Sequence, residues 1–208
     1  MKIFTYIIII FLTPFLILLN LRLLIFDHDF YKSEFAKVGT YENFESREIV
    51  DKQSKDLITY LCCDGSLDTD FYAEREIVHM RDVKNLISTV NVYLLALSTL
   101  LIISCAVLIA KKRLSLLFFS FKTGTLMAIV SLAVVFIISQ IDFDFLFLKF
   151  HVISFDNDLW VLPENANLIQ LFPQQFFADF ANRIVLQTLA MSTSILIFSS
   201  IAQTKIKK

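Results

Sequence analysis

Four long apolar stretches alternate with polar ones along the chain. A helix needs about 20 mainly apolar residues to cross the hydrocarbon core of a bilayer, and each stretch reaches that length. They cover about residues 3–26, 89–110, 123–140 and 184–203. Most charged residues lie in two long connections, 27–88 and 141–183. The pattern predicts an all-α fold, an integral membrane bundle of four transmembrane helices, and we expect residues 1–208 to form a single membrane domain.

Shorter patterns predict helices beside these spans. "SREIVDKQSKDLITYL" spaces its apolar residues like an amphipathic helix, with Ser46 as its N-cap. After a turn at Gly65, residues 72–110 contain neither Gly nor Pro, which predicts one continuous helix that begins before the second span. Pro173 should limit any helix in "NLIQLFPQQFF". The first span lacks a small-residue cleavage site, so we interpret it as a retained helix with a kink at Pro14.

Clustered cations predict the orientation in the membrane. Lys and Arg residues occur without any acidic residue between the second and third spans, and Lys residues end the chain: Lys111, Lys112, Arg113, Lys122, Lys205, Lys207 and Lys208. Cytoplasmic loops carry such an excess. We therefore expect a multi-pass protein of the cell membrane with both termini in the cytoplasm and both large connections extracytoplasmic.

Composition narrows the class further. The chain has 22 Phe but only three Gly and three Pro, which favours helices over loops. A net charge of −1 gives no reason to expect nucleic acid binding, and the basic face should meet membrane lipid. We expect a monomer without a cofactor. Cys62 and Cys63 are adjacent and Cys105 lies in a span, so no disulfide framework is predicted.

Two histidines are the strongest candidates for chemistry. His79 sits on the predicted helix just before the second span, and His151 follows a Phe-rich run in the other outer connection. Two imidazoles at one membrane face can share a proton transfer, because His titrates near neutral pH. The alternative is that each is an interfacial His paired with a nearby carboxylate. If the two His are catalytic, the active site should lie on the outer face.

Other polar residues are weaker candidates. Glu76, Asp82, Asp156 and Asp158 could orient an imidazole, although each could equally be a solvated surface charge. Arg22 near the end of the first span is a substrate-positioning candidate or a snorkelling cation, and Trp160 suits a positioning or anchoring role. His28 lies between two Asp, but the three His lack a zinc-binding spacing, so no metal is predicted.

Several stretches resemble a known family in the same order along the chain. They are "FYKSEFAKVGTYENF", "LITYL", "EREIVHMRDVKNLI", "DFDFLFLKFH" and "FDNDLWVLPENANLIQLFPQQFF". Together they are similar, over about residues 20–180, to the lipoprotein intramolecular transacylases, small four-helix membrane proteins. In that family an acidic residue usually precedes "LI", whereas this chain has Ala166 and Asn167 there. The departure puts a carboxylate role at that point in doubt.

The resemblance implies an acyltransferase that acts on diacylglyceryl-modified lipoproteins. The sn-2 acyl chain moves to the α-amine of the N-terminal Cys and gives a lyso-form lipoprotein. The family's two characteristic His fall on His79 and His151. Two other interpretations stay open from the residues: a non-catalytic membrane sensor or partner-binding subunit, and a membrane esterase or acyltransferase that acts on free lipid. A transporter is disfavoured, because the spans lack paired ionisable residues and Gly interruptions.

Overall fold

A computed structural model describes residues 1–63 and 65–206. Within these residues the chain forms eight α-helices and one 3₁₀ turn, and no strand. The α-helices are α1 (Lys2–Ile25), α2 (His28–Val38), α3 (Arg47–Cys62), α4 (Glu74–Ala110), α5 (Leu114–Ile141), α6 (Phe143–Ser154), α7 (Asn167–Leu171) and α8 (Gln174–Ile206), and the 3₁₀ turn is Thr40–Asn43. The predicted cytoplasmic Lys207 and Lys208 lie outside the described residues.

Four of the helices, α1, α4, α5 and α8, are long and apolar enough to cross a membrane. The predicted all-α membrane fold is therefore confirmed. Helix α4 is unbroken, as the absence of Gly and Pro predicted. Two boundaries differ from the prediction: α5 begins at Leu114 and α8 at Gln174, each before the start of its apolar span. A search for apolar length cannot detect polar first turns such as "QQFFADFANR".

The chain divides into two compact units. Unit 1 consists of Met1–Arg22, Asn91–Gln140 and the chain from Asn182 on. It holds the apolar parts of the four long helices. Its core is made of aliphatic side chains from different helices: Ile8, Leu101, Leu108 and Leu117 in one cluster, and Ala128, Leu132 and Val185 in another.

Small residues allow close helix packing in unit 1. A Cβ placed on Gly124 of α5 would lie 3.3 Å from the backbone of Ile9 and 3.2 Å from a methyl group of Leu12, both on α1. Asn20 of α1 is buried, and its amide donates to Thr188 of α8 at 3.1 Å. Close backbone approach and interhelical hydrogen bonds are typical ways in which membrane helices associate.

Unit 2 consists of Leu23–Val90 and Ile141–Ala181. Its core is aromatic: Phe35 and Phe176 are fully buried and stack with ring centroids 5.7 Å apart. Tyr31 and Phe172 pack edge-on against them. The Phe residues that the composition makes conspicuous thus join α2, α7 and the first turns of α8 in one cluster.

Helix α3 confirms the amphipathic pattern. Ser46 caps it, since its hydroxyl accepts from the Ile49 N–H at 3.4 Å, and Val50, Leu57, Ile58 and Leu61 are buried on one face. At its end Cys62 and Cys63 form a disulfide. The sequence did not predict this pair, which becomes possible where Cys63 leaves the helix in an extended conformation. Pro173 separates α7 from α8, as predicted.

Candidate active site

His79 and His151 come together within unit 2. His79 lies in the second turn of α4, and His151 lies in the last turn of α6, a helix capped by Asp142, whose carboxylate accepts from the Phe145 N–H at 2.9 Å. Their ring centroids are 6.3 Å apart. Both side chains are buried, with 7% and 9% of their surface exposed. Two residues distant in sequence therefore form one buried imidazole pair.

Aromatic rings surround this pair. Phe155 packs against His79 at 5.2 Å and against His151 at 5.8 Å. Phe147 lies 4.4 Å from His151 on one side, and Trp160 lies 4.9 Å from it at an interplanar angle of 33°. An apolar environment of this kind excludes water and strengthens polar interactions inside it.

The tautomer of His151 follows from its one backbone partner. Its Nδ1 lies 2.8 Å from the carbonyl oxygen of Phe147, one turn earlier on α6. A carbonyl only accepts, so Nδ1 carries the proton and the neutral ring keeps a lone pair on Nε2. Burial lowers the pKa of His151, and the bond to Phe147 opposes that shift only in part. The ring is therefore neutral at pH 7 and can accept a proton.

His79 has an unused nitrogen. Its Nδ1 is buried and makes no hydrogen bond to any of the described residues. A buried polar atom without a partner costs free energy, and such atoms in native proteins usually have a function or bind something. Nδ1 of His79 is thus a buried hydrogen-bonding group without a partner among the described residues.

Glu76 anchors the fold and makes no hydrogen bond to His79. It is buried, and its two oxygens accept from the backbone N–H groups of Ala73 at 2.7 Å and Leu168 at 2.6 Å. The first bond caps α4 and the second ties α7 to it. Leu168 directly follows Ala166 and Asn167, where this chain lacks the acidic residue of the family pattern. The carboxylate that accepts from the Leu168 N–H comes instead from Glu76 on α4.

The remaining predicted residues fall into different places. Asp82 accepts from the side chain of Asn157 at 3.0 Å, and the backbone carbonyl of Asp158 accepts from Arg75. The side chain of Asp156 is exposed. His28 is exposed at the start of α2, and Arg22 lies in the last turn of α1, in unit 1. Among the described residues, no group of three or more His, Cys, Asp or Glu could hold a metal ion.

Comparison with protein families identifies the chain. The family model described as lipoprotein intramolecular transacylase Lit matches residues 6–177. The chain belongs to this family. No curated protein sequence matches it significantly.

Solved structures of the Lit transacylase from Bacillus cereus, described as membrane integral, share the fold at 20% identity. One has a TM-score of 0.88 and covers 99% of this chain and 97% of its own. Two others carry a histidine replaced by arginine or by alanine; each has a TM-score of 0.83, and 93% and 94% of their lengths are covered. The fold is therefore that of a membrane-integral Lit protein. Membership of the Lit family makes the chain a lipoprotein intramolecular transacylase, an acyltransferase of the membrane.

Sequence reasoning missed part of this Lit-family site. Phe147 and Phe155, which contact the imidazoles, were not singled out among 22 Phe. The sequence signal for Phe147 is its position four residues before His151. On a helix this spacing brings the backbone carbonyl of the first residue close to the side chain of the second. Arg75 and Asn157 carried no signal, since loop contacts depend on the tertiary fold.

Proposed function

We propose that His79 and His151 are the catalytic pair of this transacylase. The substrate is a lipoprotein whose N-terminal Cys carries a diacylglyceryl group, and the sn-2 acyl chain moves from its glycerol oxygen to the free α-amine. The observation that supports the assignment is the buried, aromatic-walled convergence of the two rings at 6.3 Å. The product is a lyso-form lipoprotein.

His151 serves as the base. The α-amine has a reference pKa of about 7.7–8.0 and must lose a proton as it attacks the ester. Nε2 of His151 is the free acceptor, since Nδ1 is bound to the Phe147 carbonyl. The new bond joins the amine nitrogen to the acyl carbon, and the bond between that carbon and the glycerol oxygen breaks. The proton taken from the amine returns to that oxygen, so no other reactant is needed.

His79 is placed to polarise the ester. An Nδ1 that carries a proton and lacks a protein partner can donate to the carbonyl oxygen as negative charge develops on it. In the opposite assignment His79 would be the base, oriented by Glu76 or Asp82. Both carboxylates have other hydrogen-bond partners, which supports His151 as the base instead.

The aromatic wall favours transfer over hydrolysis. Amine and ester belong to one molecule, so the enzyme's main task is alignment, worth about 7–11 kcal/mol in well-oriented intramolecular reactions. Water that reached the acyl carbon would release the chain as a fatty acid. Phe155 and Trp160 pack on the rings and would keep water away.

The site belongs on the outer side of the membrane. Lys111, Lys112, Arg113 and Lys122 between the second and third spans support a cytoplasmic position for that connection and for both termini. The acidic connections that carry the two His then face outward. Membrane lipid surrounds the apolar helices, and the reaction needs one chain only, so we expect a monomer. Arg22 is kept as a substrate-positioning candidate.

Mass spectrometry of the N-terminal lipopeptide tests the catalytic pair. A lipoprotein is co-expressed with the wild-type protein and with His79→Ala, His151→Ala and His28→Ala. General acid–base groups contribute roughly 10²–10⁴-fold, so each of the first two changes should abolish the lyso-form peptide. His28→Ala is the matched control and should leave it intact, because that side chain is exposed. A full yield of lyso-form from either site variant would refute the assignment.

A further inference from the structure

Residues Phe155–Trp160 cross the imidazole pair as a strap. Phe155 at its start contacts both rings, and Trp160 at its end packs on His151. Its sequence is "FDNDLW". We infer that Asp82 is a positioning residue of the transacylase: through Asn157 it holds this strap, and with it both rings, in place. The inference rests on the proposed role of the two His.

Asn157 uses both ends of its side chain in this arrangement. Its Nδ2 donates to Oδ2 of Asp82 at 3.0 Å, and its Oδ1 accepts from the backbone N–H of Leu159 at 2.9 Å. The first bond reaches to α4 and the second fixes the turn inside the strap. Asn157 therefore joins the bend of the strap to the helix that carries His79.

A second bond acts from the same helix. Arg75, near the start of α4, donates to the backbone carbonyl of Asp158. Arg75 and Asp82 lie on either side of His79 in the sequence, so α4 holds two consecutive strap residues beside its own catalytic candidate. Movement of the strap relative to α4 would move Phe155 and Trp160 relative to the rings.

The bond between Asp82 and Asn157 is exposed, which separates its effect from folding. Exposed hydrogen bonds and charges contribute little to global stability. An acid–base role for Asp82 is not supported, because its carboxylate is bound to Asn157. Loss of the bond should change the alignment of the site and admit water, while the fold remains.

The test exchanges the two residues. Asn157→Asp places two carboxylates against each other and should open the strap. In Asp82→Asn combined with Asn157→Asp, the amide at position 82 can donate to the new carboxylate, whose other oxygen still accepts from Leu159. Asp82→Asn alone keeps a hydrogen bond, because its amide oxygen can accept from Asn157. Asp56→Asn on α3, which removes an exposed charge paired with Lys52, is the matched control.

The first measurement is acyl transfer by purified protein in vesicles, with separate quantification of N-acylated product and released fatty acid. Misalignment near a reacting centre can cost roughly 100-fold, so we expect a loss of about 10- to 100-fold for Asn157→Asp and a larger share of hydrolysis. The exchanged pair should recover most of the transfer rate. Asp82→Asn, which keeps the hydrogen bond but loses the charge, should lose less activity than Asn157→Asp, and Asp56→Asn should stay near the wild-type rate.

The second measurement does not depend on activity. Trp160 is the only Trp in the chain, so its fluorescence reports the strap directly. Acrylamide should quench it more strongly in Asn157→Asp than in the wild type, and the exchanged pair should return to the wild-type value. Unchanged quenching in Asn157→Asp, or an exchanged pair as slow as Asn157→Asp, would overturn the inference. A wild-type protein that makes no N-acylated product would instead overturn the proposed function, whereas the quenching test of the strap would stand.

Discussion

In unit 1 most hydroxyl groups of the long helices bond to their own helix, whereas in unit 2 several polar side chains bond from one element to another. Ser98, Ser104, Ser120 and Thr125 each donate to the carbonyl four residues earlier. In unit 2, Thr40 donates to Leu171, Gln53 to Asp68 and Asn157 to Asp82, and Glu76 accepts from Leu168. Exceptions in unit 1 are Asn20, which donates to Thr188, and Gln140, which donates to Asn182. The buried hydroxyls of Ser192 and Ser199 have no partner among the described residues.

The difference follows from the surroundings of the two units. Lipid offers no hydrogen-bond partner, so a hydroxyl on a membrane helix is satisfied within that helix. The non-helical stretches of unit 2 lack such internal hydrogen bonds. Hydrogen bonds between particular side chains and other elements hold them in place. Unit 1 can therefore tolerate the loss of many single hydroxyl groups, whereas unit 2 depends on individual side chains, and the candidate active site lies there.

The largest effect should come from protonation of His151. A base must be neutral, and burial lowers the pKa of this ring below its usual value of about 6.5. The free fraction of the α-amine, whose reference pKa is about 7.7–8.0, already falls about tenfold per pH unit as pH drops below that value. Protonation of His151 should add a second loss of about tenfold per pH unit, and only below about pH 6.5. Single-turnover rates measured in vesicles from about pH 4.5 to about pH 8 test this expectation.

The control for this pH profile is a measurement of folding at each pH. Because the folded pKa of His151 is lowered, protonation also costs stability as pH falls below the unfolded value. Trp160 emission at each pH shows whether the aromatic site is still assembled. Since the amine alone gives one acid limb, a second limb that begins above the usual pKa of His would contradict the assignment of His151 as the base.

Replacement of Glu76 should destabilise unit 2 next most strongly. In Glu76→Ala the N–H groups of Ala73 and Leu168 lose their acceptor, and loss of the buried bond to Leu168 should cost about 1–3 kcal/mol. Thermal unfolding in detergent, followed by Trp160 fluorescence, measures the loss. Glu74→Ala, an exposed acid on the same turn, is the control, and equal midpoints for the two variants would show that the Glu76 bonds do not hold α7.

Gly124→Ala should destabilise unit 1. The added methyl would lie 3.3 Å from the backbone of Ile9, which cannot rotate away, and overpacking of this kind costs about 1–3 kcal/mol. Thermal loss of the helical circular dichroism signal tests it. Met127→Ala on the exposed side of the same helix should be nearly neutral. If both changes were neutral, the close packing of α1 and α5 would not matter for stability.

The smallest effects compare two hydroxyl groups directly. Ser104→Ala removes a bond within α4 and should change the free energy of unfolding by less than about 0.5 kcal/mol. Thr40→Val removes the bond to the Leu171 carbonyl and should cost about 1 kcal/mol. Chemical denaturation of the two variants beside the wild type measures both. A larger loss for Ser104→Ala would break the contrast between the units.

The four apolar helices and the two histidines could be predicted from the sequence, for different reasons. Helix length and hydropathy are local properties, so α1, α4, α5 and α8 were visible, although their polar ends were not. The histidines stood out because His is rare in this chain. The roles of Glu76 and Asp82 could not be predicted, because their partners, Leu168 and Asn157, are far away in the sequence.

The bond between Glu76 and Leu168 also determines when the site can exist. A ribosome makes His79 before α5, and His151 and Leu168 only after it. The two sides of the site meet after a complete membrane helix has been synthesised between them, and contacts of such long sequence separation form late. A nascent chain that ends with α5 holds one of the two histidines, and its Glu76 carboxylate does not yet have the Leu168 N–H to accept from. Synthesis itself thus delays enzymatic competence until Leu168 has been added to the chain.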